Sequence, residues 1–128
     1  MVTYTIDANQ RLIRTQCAGF VTFDEVAAHF HELANDPACP NRLDVLLDLR
    51  AVESLPHKGQ LQAVTGELAQ VRARVRFGMC AIVVERPALF GMFRMFEVIA
   101  QDYFTAIRVF RVIVEAEAWL GSQRLPIE

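Results

Sequence analysis

Cysteine is scarce and unpaired in this chain: Cys17, Cys39 and Cys80 are odd in number, lie far apart and form no CxxC pair. That spacing excludes a disulfide framework and a thiolate metal cage, and leaves three reduced thiols as the reading. Charge of one sign is also lacking. A formal net charge of -2 offers no broad attraction to phosphate backbones or anionic lipid, which excludes nucleic acid as an expected partner. No uncharged run approaches the roughly eighteen residues of a membrane span. Thr3, Asp7 and Asn9 stand close behind Met1 in place of a cationic and apolar leader, so a soluble, cytoplasmic protein is expected. No phosphate-binding glycine loop, dinucleotide fingerprint or serine-nucleophile motif occurs, so neither a cofactor nor an enzymatic activity is expected.

What is present is apolar. Hydrophobic residues make up 53% of 128 residues, with nine Phe against two Tyr and one Trp, and a surplus of that kind asks for an oligomer interface or an apolar ligand groove. The length suits one domain spanning residues 1–128, with an ordered core over 2–121 and a frayed tail over 122–128. No linker, repeat or low-complexity segment divides it. Residues 2–19 alternate in polarity around Asp7-Ala8-Asn9-Gln10 and predict a β-hairpin. The run VTFDEV then predicts a capping box between Thr22 and Glu25, opening a helix that carries Phe23, Val26, Phe30 and Leu33 and stops near Asn35-Asp36-Pro37.

Residues 43–49 are apolar on both faces and predict a central strand, followed by a polar loop over 51–59 and a helix over 60–74. A second buried strand is predicted over 77–84, a helix over 89–100 with Pro87 in its first turn, a last strand over 106–110, and a closing helix over 114–120 stopped by Gly121. The order β-β-α-β-α-β-α-β-α implies an α/β fold with a mixed, mostly parallel sheet of about five strands and helices packed on it.

Two stretches invite a functional reading. The loop at the carboxyl end of the central strand is where open α/β sheets bind ligands, and His57, Lys58 and Gly59 there suit an anion held at a helix N-terminus. The helix over 89–100 is apolar nearly all round. Its Leu89, Phe90, Met92, Phe93, Met95 and Phe96 suit either a homodimer interface or an adaptable apolar groove. A metal site is not expected: His29 and His31 are two apart and point to different faces of a helix, and Glu25 with His29 has ligand spacing but no visible third ligand. Arg72, Arg74 and Arg76 read as a solvated helix end.

With DVLLDLRAV before a loop and helix, and GMFRMF and EAEAWL following, residues 4–120 resemble the STAS group, the domains of sulfate transporters and anti-sigma-factor antagonists. The likeness is greatest to its small stand-alone bacterial branch, the sporulation-antagonist-like proteins with a Sec14-like, lipid-binding-like architecture. In the antagonists a serine in the turn after the central strand is phosphorylated. Here Pro56, His57 and Lys58 stand where the acid and serine would fall, so the resemblance implies the fold without the phosphoserine switch. The expectation is a non-enzymatic binding or regulatory module, a homodimer with a protein partner. The alternative is a carrier or sensor of a small lipophilic or anionic ligand.

Overall fold

A computed structural model describes residues 1–123. The expected element order is the observed one: β1 Val2–Asp7, β2 Leu12–Gly19, α1 Phe23–Ala34, β3 Arg42–Val52, α2 Lys58–Val71, β4 Arg76–Val83, α3 Pro87–Ala100, a single 3-10 turn Gln101–Tyr103, β5 Ala106–Phe110 and α4 Ile113–Gln123. The five strands form one sheet in the order β1-β2-β3-β4-β5. β1 runs antiparallel to β2, and each later pair is parallel.

That sequential order decides where the helices go. Each parallel connection crosses in the right-handed sense, and three crossovers stepping in one direction leave α1, α2 and α3 on the same face of the sheet. The larger core lies there, with Phe30 and Leu33 of α1, Leu61 and Leu68 of α2 and Leu89, Phe93 and Phe96 of α3 packed towards Ile13, Leu43, Leu49, Phe77 and Ile82. The last helix, α4, covers the opposite face through Ala116 and Leu120, which meet Leu12, Leu46, Met79, Ala81, Val83 and Phe110.

Local chemistry sets the element ends. Thr22 and Glu25 form the reciprocal capping box expected for α1, and Pro87 stands in the first turn of α3. At the β3–β4 junction the register shifts between Leu43 and Val45. The buried Asp44 carboxylate turns into that gap and accepts from the Met79 amide at 2.8 Å. A Cβ on Gly78 would sit 2.3 Å from the Asp44 oxygen, so only glycine fits.

Several boundaries differ from the sequence reading, three of them with a bearing on the site or the chain end. β3 continues to Val52 because it takes up one extra residue where Leu49 and Arg50 stand opposite Cys17, and pairing with β2 resumes as Ala18–Ala51 and Gly19–Val52, which shortens the loop to residues 53–57. α2 spans Lys58–Val71 rather than 60–74. α4 passes through Gly121 to Gln123, since glycine ends a helix only where a left-handed turn follows, so Ser122 and Gln123 are helical while the tail expected over 124–128 lies outside the described residues.

Candidate functional site

Between the sheet and the α1–α3 layer lies a partly open cavity of about 170 Å³. Alternation along the strands supplies its floor: Ile13, Thr15 and Cys17 from β2, Val45, Leu47 and Leu49 from β3, and Phe77 and Cys80 from β4. Helical periodicity supplies the roof, with Phe23, Val26, His29, Phe30 and Leu33 from α1, Leu61, Val64 and Leu68 from α2, and Leu89, Phe93 and Phe96 from α3. Among the described residues no lysine, arginine, aspartate or glutamate lines it. Val45 and Leu47 sit at the middle of the central strand yet are only half-buried, whereas Leu46, between them on the other face, is 2% exposed. The helix layer therefore stands off from the sheet where the sheet is most apolar.

One end of the cavity is framed by the loops that follow β2 and β3, where Val21, Thr22, Ser54 and Pro56 form part of the wall. These loops are tied together. The Val21 amide donates to Ser54 Oγ at 3.1 Å, the Glu53 amide to the Gly19 carbonyl at 2.8 Å, and the Arg86 guanidinium to the carbonyls of Val52 and Ser54 at 3.1 and 3.3 Å. Gly19 takes a left-handed conformation, φ 69°, to make the turn. Phe20 and Leu55, next to wall residues on the two loops, are exposed.

The polar groups in the wall are few and distinct. His29 has no hydrogen-bond partner among the described residues, and its Nδ1 is sealed from solvent. Burial pushes its pKa down to about 4, so the imidazole is neutral near pH 7. Its ring meets Tyr4 edge-on at 5.1 Å and Phe30 at 5.6 Å. Tyr4 is in turn fixed by donating its hydroxyl to Asp36 Oδ2 at 2.7 Å. Cys17 and Cys80 are buried free thiols, and desolvation raises the pKa of both, that of Cys17 to about 11, which keeps them protonated and unreactive.

The residues singled out from sequence are divided by the structure. Leu89, Phe93 and Phe96 turn inward to the cavity, while Phe90, Met92 and Met95 are half-buried against the core from outside it. Two guanidiniums cover Phe90, that of Arg111 at 4.4 Å and that of Arg94 at 5.9 Å from its centroid. His57 caps α2: its Nδ1 accepts from the Gln60 amide at 3.3 Å, and Gln60 Oε1 accepts from the His57 amide at 3.0 Å. The cap thus engages the Gln60 amide. Lys58 and Gly59 are exposed, and a Cβ on Gly59 would press on the His57 ring at 3.2 Å. Glu25 serves the α1 cap and an ion pair with the chain amino group at 3.2 Å, away from any metal role with His29. No group of three potential metal ligands occurs among the described residues.

Sequence reasoning missed the part His29 plays. Its signal was present, because His29 lies three residues after Val26 and four before Leu33 and so falls on the apolar stripe of α1.

No protein-family model, curated protein or solved structure matches the chain. Fold and site therefore define an α/β domain with an apolar cavity between its sheet and helices. No helix among the described residues is long and apolar enough to cross a membrane.

Proposed function

We propose that this protein is a non-enzymatic, cytoplasmic carrier or sensor that holds a small lipophilic molecule between its sheet and the α1–α3 layer. The incomplete cover over Val45 and Leu47 carries this reading. A central strand of an α/β sheet ordinarily buries both faces, and apolar surface left open there is stabilised by an apolar occupant at roughly 25 cal/mol per Å². At about 170 Å³ the space is comparable with an engineered apolar cavity of roughly 150 Å³ that takes up benzene. The STAS resemblance, in its lipid-binding-like branch, supports the same reading. Native mass spectrometry of protein purified without detergent tests it: a stoichiometric adduct lost on denaturation is expected, and a protein that stays adduct-free after incubation with toluene and medium-chain alcohols would refute it.

Self-association through α3 is the second reading, and it rests on Val98, which is 64% exposed beside half-buried Met95 and Phe90. A dimer mass that Val98→Glu converts to a monomer supports it, and an unchanged mass removes α3 from the contact. Phe93→Glu and Phe96→Glu would not serve, because both side chains are buried in the monomer and their charges would unfold it.

A further inference from the structure

We propose that the cavity selects an uncharged lipophile of about one-ring size that carries a hydroxyl, of which a phenol is the simplest case, and that this hydroxyl bonds the imidazole of His29. The inference rests on the cavity being a ligand site and adds what the ligand must carry. A polar side chain on the wall of an apolar cavity normally finds a partner within the protein. His29 does not: neither ring nitrogen makes a hydrogen bond to a described residue, and because Nδ1 is shut off from anything the size of a water molecule, Nε2 of the half-buried ring is the nitrogen left for a ligand hydroxyl. The ring is nonetheless held in place by Tyr4 and Phe30. Thr15 lies directly across the β1–β2 ladder from Tyr4, so its hydroxyl and the imidazole neighbour the same ring. Thr15 is 4% exposed, lines the cavity and has no hydrogen-bond partner among the described residues, giving the wall a second unmet polar group.

Charge and size narrow the class. With no lysine or arginine among the described lining residues, a carboxylate would enter without a counter-ion, which disfavours fatty acids and benzoates. Desolvation also keeps the imidazole neutral, so that Nε2 can accept an O–H. The volume of about 170 Å³ admits one ring or a short chain.

Calorimetric titration of the full chain with p-cresol, toluene and 4-methylbenzoate tests the assignment, since the first two differ by the hydroxyl alone. In the wild type p-cresol binds, and 4-methylbenzoate at neutral pH binds at least about tenfold more weakly. In His29→Leu the affinity ratio of p-cresol to toluene falls by at least about fivefold, because the hydroxyl loses its acceptor. An unchanged ratio with toluene still bound overturns the role of His29 and leaves the cavity reading standing. A 4-methylbenzoate affinity equal to that of p-cresol overturns the uncharged class. Failure of all three ligands to bind overturns the cavity reading and this inference with it. Should His29→Leu not fold, nitrogen NMR of wild-type protein with labelled histidine decides: p-cresol shifts a ring nitrogen of His29 and toluene does not, and equal responses to both refute the contact.

Discussion

Beneath α4, the residues Leu12, Leu46, Met79, Ala81, Val83 and Phe110 close on Ala116 and Leu120 with none more than 8% exposed, and the small side chains at 81 and 116 let helix and sheet approach. Beneath α1–α3 the same strands present larger apolar side chains to three helices, yet about 170 Å³ stays unfilled and Val45 and Leu47 remain half-buried. The α4 side is thus packed beneath the helix and, beside it, open to a partly polar cleft of about 260 Å³ framed by Arg14, Gln16, Asp48 and Ile113, whereas the room beneath α1–α3 is apolar. Close packing is the ordinary state of a protein interior, so the looser face is the one that needs a functional explanation.

The largest effect expected from that contrast lies at the tight β3–β4 junction. Gly78→Ala drives a Cβ into the Asp44 oxygen, displaces the acceptor of the Met79 amide, and is expected to cost about 3 kcal/mol in denaturant unfolding. A change below about 1 kcal/mol would mean that this junction relaxes as readily as the cavity face.

The next effect belongs to the looser face and is read by pH. His29 has its folded pKa depressed from 6.5 to about 4, so the unfolded chain binds the proton more readily. Stability is then fully present above the unfolded value and is lost as pH falls through 6.5 towards 4. Between pH 7 and pH 5 the loss attributable to His29 is about 2 kcal/mol. His29→Phe is expected to flatten this part of the stability profile, and an unaltered slope would show the imidazole to be hydrated when folded.

A smaller pair of effects has opposite signs on the two faces. Ala81→Val, under α4, overpacks and is expected to cost about 1.5 kcal/mol. Val64→Leu, on the cavity wall, adds a methylene to open space and is expected to gain about 0.8 kcal/mol while weakening any cavity ligand. Equal losses for both substitutions would erase the distinction between the faces.

Much of the fold was legible in the sequence because local chemistry declared it. Thr22 and Glu25 announced a helix start, Pro87 another, and the apolar run of residues 77–84 a buried strand. The extension of β3 to Val52 was not legible, since it depends on a bulge in β3 that only its pairing with β2 reveals. The site was legible only in part. Leu89, Phe93 and Phe96 were singled out for their apolar character, but composition does not tell an inward wall from an outward face. The cavity itself has no sequence signature, being the difference between the spacing of two layers and the volumes of the side chains that face one another. His57 drew attention by its position at the end of the central strand, and its side chain turned out to be occupied in capping α2.

Methyl-resolved NMR during titration with toluene tests the central claim most directly, because both faces report in one experiment. Shifts are expected to concentrate on the methyl groups of Val45, Leu47, Leu61, Val64 and Leu89, with those of Leu12, Leu46 and Leu120 unmoved. Shifts spread evenly over both sets, or none in either at saturating toluene, would contradict a ligand site between the sheet and the α1–α3 layer.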